Sequence, residues 1–386
     1  MTKLEELIQK LCPNGVEHKP LNEVSEMKRG TSITKKDIVE GEIPVVSGGR
    51  EPAYYCDKYN RDGETITVAG SGAGAGYVQY WTKPIFVCDA FSIQGNPGIQ
   101  TKYIYYFLTN IQDYIYSTKK GGGVPHVHIS SIENVSVPVP PLPVQREIVR
   151  ILDNFTELTA ELTAELTARK QQYAYYRDKL LTPRTDYRHV KIIDMLKQPI
   201  TDGPHTTPEL MEYGIPFLSV EAVFDGKIHF EKRRGNITLE FDAECCKKYK
   251  PQKHDIFMVK SGSTTGKVGY VDTDERFNIW SPLAAMRVNS ENSSRYLFHL
   301  LQSKMVQQQV VAKASHGSQP NLSMRALEQF DVVIPPLDIQ LRLANVLDNF
   351  DAICTDLNIG LPAEIEARQK QYEYYRDKLL TFTPAN

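Results

Sequence analysis

PPLPVQREIVRILDNFTELTAELTAELTARKQQYAYYRDKLLT, residues 140–182, decides the fold. Apolar or long side chains recur at Ile148, Leu152, Phe155, Thr159, Leu162, Leu166, Arg169, Tyr173, Tyr176 and Leu180. Their spacing alternates four and three, the seam of a heptad helix. Pro140 and Pro141 cannot lie in a helix interior, so they mark its start. A helix of about 40 residues spans about 60 Å, which makes the segment a spacer. Inside it the letters TAEL repeat, and each unit adds about one turn, roughly 6 Å.

The same text returns later. PPLPVQ at 140–145 is answered by PPLDIQ at 335–340, ILDNF at 151–155 by VLDNF at 346–350, and QYAYYRDKLLT at 172–182 by QYEYYRDKLLT at 371–381. The first two pairs lie 195 residues apart and the last 199, so the second copy carries four extra residues, within 355–365. Its seam, Leu343, Leu347, Phe350, Cys354, Leu357, then steps by four to Leu361 and Ile365. That is a stutter, and Gly360 and Pro362 fall at it, so a kink or break is expected there. Two such helices in one chain most simply pack on each other.

The blocks ahead of each helix match faintly. IPVVS (43–47) resembles IPFLS (215–219), VAGSGAGAGYV (68–78) resembles VKSGSTTGKVGYV (259–271), and residues 122–142 resemble 317–337, with Pro125 over Pro320. One skeleton is written twice with different decoration. Near-identical blocks need one shared job, and divergent blocks suit parts meant to differ. Residues 102–117 and 294–314 read as amphipathic helices. ETITVAG, AGYVQYW, KPIFVCD, DIFMVKSG, KVGYVDT and FNIWSPLAAMRV read as strands. A small, curved, mostly antiparallel sheet with helices beside it is predicted twice.

Bulk composition excludes several classes. At 386 residues, 41% hydrophobic and 24% charged, the chain suits a soluble protein of two or three domains. No apolar run approaches the roughly 20 residues that span a bilayer. MTKLEELIQKLCPNG has no apolar signal-peptide region, and the six cysteines show no zinc or disulfide spacing, so a cytoplasmic protein with reduced thiols is expected. The net charge of −2 means that any DNA contact must come from local patches or a basic partner.

Apparent catalytic motifs fail on context. Gly70, Gly72, Gly74 and Gly76 imitate a dinucleotide loop, but an aromatic strand follows where a helix must open. Residues 261–267, SGSTTGK, are one residue short of a phosphate loop, and Val268 stands where Ser or Thr is needed. His126 and His128 have no third ligand nearby. There is no Asn-Pro-Pro-aromatic methylation tetrapeptide and no DEAD-type helicase box. A self-sufficient enzyme is therefore not the reading. A coiled-coil adaptor without sequence-specific DNA binding is the alternative, and the two divergent mixed domains weigh against it.

Two variable domains, each followed by a near-identical helix that begins PPL-x-x-Q and ends YYRDKLLT, resemble the specificity (S) subunit of type I restriction-modification systems. The TAEL repeat resembles the EcoR124-like branch. The resemblance covers essentially the whole chain. It implies an α+β fold: two globular mixed α/β target-recognition domains separated by two long antiparallel coiled-coil helices, related as a pseudo-twofold internal repeat. The corresponding segments are a short N-terminal helix at 1–14, recognition domain 1 at 15–141, spacer 1 at 142–182, recognition domain 2 at 183–336 and spacer 2 at 337–386. The N-terminal helix is expected to dock beside Tyr372 to Leu380. The resemblance further implies a bipartite, asymmetric double-stranded DNA site and two modification subunits methylating adenine N6. Restriction subunits would join later. S-adenosylmethionine and ATP would sit on those partners, leaving this chain with no cofactor, no metal, no membrane contact and no activity of its own.

DNA reading needs donors and acceptors on loops, with lysine and arginine for phosphates. The matched polar loops supply Thr31, Ser32, Lys35, Lys36, Arg50, Ser71, Lys119, Lys120 and His126 in the first copy. In the second they supply Thr206, Thr207, Lys232, Arg233, Arg234, Lys260, Ser263, Thr264, Thr265, Lys267, His316, Ser318, Gln319 and Asn321. Lys119 and Lys120, followed by three glycines, suit phosphate, and the amides of Gln319 and Asn321 suit adenine edges.

If the TAEL repeat is a ruler, deleting Thr159 to Leu162 shortens the gap in the DNA site by about one or two base pairs, since a turn is roughly 6 Å and a base step about 3.4 Å. Both half-sites stay unchanged. A changed half-site with the gap intact would sink the ruler.

Overall fold

The computed structural model describes residues 2–33, 39–121, 123–315, 319–355 and 360–385. It forms two compact units: Met1–Leu162 with Ile365–Asn386, and Thr163–Glu364. The division falls inside the TAEL repeat.

The first spacer helix runs unbroken over Leu142–Leu180, 39 residues. Ile148 and Leu152 are fully buried, and Leu162 and Tyr173 nearly so. Arg169 departs from the predicted seam: it is exposed and reaches back to Glu165 at 3.3 Å. In the first unit Phe155 stacks on Tyr375 with ring centroids 5.5 Å apart. In the second, Tyr176 stacks on Phe350 at 5.8 Å. Phe155 and Phe350 are repeat equivalents, and so are Tyr176 and Tyr375. One aromatic pair is thus made twice.

The second spacer is described as two helices, Leu337–Thr355 and Leu361–Leu380, with Gly360, where a kink or break was expected, just ahead of the later one. Gly360 lies in a bend and accepts the Ala363 N–H at 3.0 Å, so it starts the later helix. Pro362 then sits in the first turn, where its missing N–H costs nothing. Leu357 lies outside the described residues.

Each unit carries the same two sheets. The first unit has a four-stranded antiparallel sheet in the order Ser25–Arg29, Ala90–Gly95, Thr65–Ala69, Val78–Trp81. The second has Thr201–Asp202, Leu283–Met286, Ile256–Val259, Val268–Tyr270. Beside it stands a three-stranded sheet: Tyr54–Cys56, Ile43–Val46, Phe86–Val87 in the first unit and Gly235–Ile237, Ile215–Leu218, Asn278–Ile279 in the second. Its last pair is parallel in both. That second, mixed sheet corrects the single sheet predicted from sequence: Phe86–Val87 and Asn278–Ile279 lie within predicted strands, but Tyr54–Cys56 and Gly235–Ile237, three residues each, are too short to show a period.

The helices predicted at 102–117 and 294–314 each divide, into Thr101–Asn110 and Gln112–Ser117, and into Ser294–Gln302 and Lys304–Lys313. In the second unit Ser303 is the cause. Its backbone is extended, and its hydroxyl accepts the Val306 N–H to cap the next helix.

The repeated residues weld each unit to a spacer helix. Gln145 is buried; its Oε1 accepts the Gln100 N–H at 2.8 Å and its Nε2 donates to the Pro140 carbonyl at 2.8 Å. Gln340, equally buried, accepts the Ser293 N–H at 3.0 Å and donates to the Pro335 carbonyl at 3.0 Å. Gln100 and Ser293 are the N-cap residues of the helices Thr101–Asn110 and Ser294–Gln302. Asp153 takes Lys102 at 2.8 Å and the Tyr106 hydroxyl at 2.5 Å. Its equivalent Asp348 takes Arg295 Nε at 2.9 Å and His299 Nε2 at 2.6 Å. His299 is fully buried, and its Nδ1 meets the Tyr173 hydroxyl at 2.9 Å.

The far ends of the helices are fastened as well. Asp178 accepts the Lys304 N–H at 2.9 Å in the second unit, and Arg376 donates to Asn110 at 2.9 Å in the first. The N-terminal helix Lys3–Leu11, closed by a Thr2–Glu5 capping box, shares a buried cluster with Leu380 through Leu4. Val16 donates to Thr383 O at 2.9 Å and accepts from the Ala385 N–H at 3.0 Å, so the two chain ends run together.

Gln340→Ala strands a buried N–H and a buried carbonyl, so it should cost about 2–4 kcal/mol, with Gln145→Ala close behind; urea unfolding measures both. A second expectation concerns acid. Burial holds the His299 pKa below its ordinary value, against the opposing pull of Asp348. A histidine with a lowered folded pKa binds fewer protons than in the unfolded chain. Its stability contribution is therefore complete above the unfolded pKa of about 6.5 and is lost as pH falls below it. His299→Gln keeps a donor and an acceptor but does not titrate. Between neutral pH and about pH 5.5 its urea midpoint should fall less than that of the wild type.

Candidate nucleic-acid interface

In each unit the last two strands of the four-stranded sheet, Thr65–Ala69 with Val78–Trp81 and Ile256–Val259 with Val268–Tyr270, join in a tight glycine turn. Ala69 donates to Tyr77 O at 3.0 Å and Gly76 to Ala69 O at 2.7 Å. In the second unit Val259 donates to Lys267 O at 2.8 Å and Gly266 to Val259 O at 2.8 Å. These bonds set Ala69 over Val259, Ser71 over Ser261 and Tyr77 over Lys267. Val68 therefore corresponds to Met258, not to Val259 as the sequence likeness suggested. The loop before the spacer helix meets this turn: Ser71 bridges to His126 and Ser261 to Asn321. His126 and Asn321 thus hold one backbone position.

A third segment closes each frame. Gly30 and Gly203 end the edge strand with no room for a side chain. A Cβ on Gly30 would lie 2.0 Å from the Cys88 oxygen, and one on Gly203 1.8 Å from the Ile279 oxygen. Thr31 and Ser32 follow the first glycine, Thr206 and Thr207 the second, and all four are exposed. Thr31 is pinned by its N–H to Val87 O at 2.9 Å.

In the first unit the structure gathers Thr31, Ser71, Lys120 and His126 on one frame. The Ser71 hydroxyl donates to Asp89. Exposed Lys120 exchanges backbone bonds of 2.9 and 2.8 Å with His126, whose ring lies parallel to that of His128 at 6.0 Å. Lys119 is half-buried over the Tyr116 ring at 4.3 Å. Arg50 is exposed and rests on Tyr77 at 4.9 Å. Lys35 and Lys36 lie outside the described residues.

In the second unit Ser263, Lys267, Gln319 and Asn321 are exposed around the turn, and Thr264 is half-buried. The Thr265 hydroxyl donates to Gly262 O at 2.7 Å and Pro320 O at 3.3 Å, so it serves the turn. Lys260 is committed inward, its Nζ 2.9 Å from the buried carboxylate of Asp202. Burial alone would raise the Asp202 pKa, but Lys248 and Lys260 outweigh it and hold the group below its ordinary value. Lys232, Arg233 and Arg234 are exposed beside the three-stranded sheet, apart from the turn. Arg233 donates to Phe230 O at 3.3 Å, and Arg234 lies over the Trp280 ring at 3.8 Å. His316 and Ser318 lie outside the described residues.

Sequence reasoning missed His205, exposed with its Nε2 3.5 Å from Asp202, and Lys248, which also pairs with Asp202. It missed Trp280, the platform under Arg234. The shared Gly30 and Gly203 were the available signal for His205, since both precede a short polar run. Nothing local marks Lys248, 46 residues from its partner. Among the described residues no His, Cys, Asp and Glu group is placed to hold a metal, and no helix is long and apolar enough to cross a membrane.

Residues 13–169 and 189–367 each match the type I restriction modification DNA specificity domain. A putative type I restriction enzyme specificity subunit of Haemophilus influenzae is 30% identical over 407 residues, covering 99% of both chains. The EcoR124I/EcoR124II specificity subunit of Escherichia coli is 33% identical over 294 residues, 73% of this chain and 70% of that one. The crystal structure of a type I S subunit from M. genitalium shares the fold, with a TM-score of 0.54 at 18% identity over 94% of each chain. A structure described for complex assembly and conformational transition of the type I system gives 0.60 at 16% identity, over 95% of this chain and 98% of that one. The family domain, matched twice and filling both units, makes this chain a member of the type I restriction-modification specificity subunits, the non-catalytic subunits that recognise DNA sequence.

Proposed function

We propose that each unit reads one half of a bipartite, asymmetric double-stranded DNA site. One observation carries this reading: a single sheet-and-turn frame is built twice and bears different exposed side chains. Thr31, Ser32, Arg50 and Lys120 decorate the first, and Thr206, Thr207, Lys267 and Asn321 the second. Different donors and acceptors on one frame select different bases by the same approach. The lysines and arginines take phosphates, and their number is modest, in keeping with a net charge of −2 and partners that share the duplex.

The repeated helices carry the other half of the function. Equivalent surfaces on two equivalent helices suit two copies of one partner. Two modification subunits would bind there and methylate adenine N6, one on each strand. Restriction subunits would add to that complex. S-adenosylmethionine and ATP belong to those partners, and the role of this chain is to place them.

Modified-base sequencing of DNA from cells expressing this chain with its modification subunit tests the proposal, against cells lacking only this chain. The expected result is a new methyladenine motif in two parts separated by a fixed gap. A continuous motif, or none while a soluble complex is present, would overturn it.

A further inference from the structure

The turns at Gly72–Ala75 and Gly262–Thr265 are alike in backbone and unlike in side chain. Each is closed by one bond, Ala75 N–H to Gly72 O at 3.0 Å and Thr265 N–H to Gly262 O at 3.1 Å. Each is tied to the facing loop in the same two ways. Gly72 donates to Pro125 O at 3.0 Å and Gly262 to Pro320 O at 2.9 Å. Val127 donates to Gly70 O at 3.0 Å and Leu322 to Lys260 O at 2.7 Å. Backbone N–H groups are obligatory donors. Among the described residues those of Ala73 and Gly74 find no acceptor, and neither do those of Ser263 and Thr264. A Cβ on Gly72 or Gly262 would meet nothing within 4 Å, so each turn is open on that side, while the Gly48 carbonyl packs against the first turn at Gly74, 2.4 Å from where a Cβ would stand.

A cation stands beside each turn, by a different route. In the second unit it is Lys267 itself, exposed at the end of the turn. In the first, the equivalent residue is Tyr77, and Arg50 lies over its ring at 4.9 Å. Asp89 is the acidic group against the first turn, and the Ser71 hydroxyl occupies it; Pro282 takes its place in the second. Two successive open donors next to a cation form an anion site.

What differs between the units fits what differs between half-sites. What is identical fits what every sequence shares, the sugar-phosphate backbone. We propose that the N–H pairs of Ala73 with Gly74 and of Ser263 with Thr264 each hold one DNA phosphate, a contact blind to sequence that sets the register for the base-reading side chains. The inference rests on the proposed DNA reading and names the atoms that seat the duplex.

Ala73 and Ser263 occupy the first central position of a β-turn, where the fixed φ of proline fits. Ala73→Pro and Ser263→Pro therefore keep the turn and remove one N–H each. In the complex with modification subunits, each should bind specific and unrelated duplexes about tenfold more weakly, with the methylated motif unchanged. Wild-type affinity in both proline variants, or a motif altered at a base, would overturn the proposal. If wild-type complex binds no DNA, the proposed function itself fails, which is a separate result. Should proline block folding, an R50A/K267A variant and duplexes neutralised at single phosphates by methylphosphonate decide the matter. One phosphate in each half-site should remain sensitive, and loss of that sensitivity in both halves would overturn the assignment.

Discussion

The buried amide of the PPL-x-x-Q glutamine is the constraint on which the rest depends. The helices Thr101–Asn110 and Ser294–Gln302 begin, as any helix does, with N–H groups that have no partner of their own. Gln145 and Gln340 supply one acceptor there, and on the other side donate to the proline segment that starts the spacer. One side chain thereby fixes two element ends. Any residue without both a donor and an acceptor would leave one of them buried and unpaired. A turn or two later, Asp153 and Asp348 repeat the join with a cation and a ring group. The near-verbatim repeats therefore hold the joints, and the divergent stretches hang between joints that stay the same.

Much of this was legible because helices announce themselves over long windows. The prolines, the heptad seam and the stutter located both spacers, and the unbroken helix over Leu142–Leu180 follows the pattern closely. Arg169 shows the limit of such a pattern, since a long charged side chain at a seam position can swing out to Glu165. The mixed sheet was hidden because Tyr54–Cys56 and Gly235–Ile237 are too short for alternation to register. The break at Ser303 was hidden because serine is tolerated in a helix until its hydroxyl finds a backbone donor ahead.

The candidate interface was legible in its loops and not in its charges. Thr31, Ser71, His126 and Asn321 fall where the polar loops suggested. Lys260 looked equally free in sequence, yet it faces Asp202, 58 positions earlier in the numbering. A buried carboxylate needs a partner, and nothing local reveals which lysine it takes. The likeness of residues 68–78 to 259–271 was out of register at its start, and the backbone bonds show that the two turns agree throughout while the side chains do not.

The distribution of the chain between the units bears on how it emerges from the ribosome. The second unit is one uninterrupted stretch, Thr163–Glu364, and the first is two pieces with that stretch between them. Its core includes Leu4 at one end and Leu380 at the other. The unit whose first piece is made earlier must therefore wait for its second piece, which follows the whole of the other unit. The stretch in between has every segment it needs earlier and closes shorter loops. Order of birth and order of completion are reversed. During that interval the half-built first unit exposes the apolar face that the closing helix covers, and this is the window in which a nascent chain of this design depends most on protection from its neighbours.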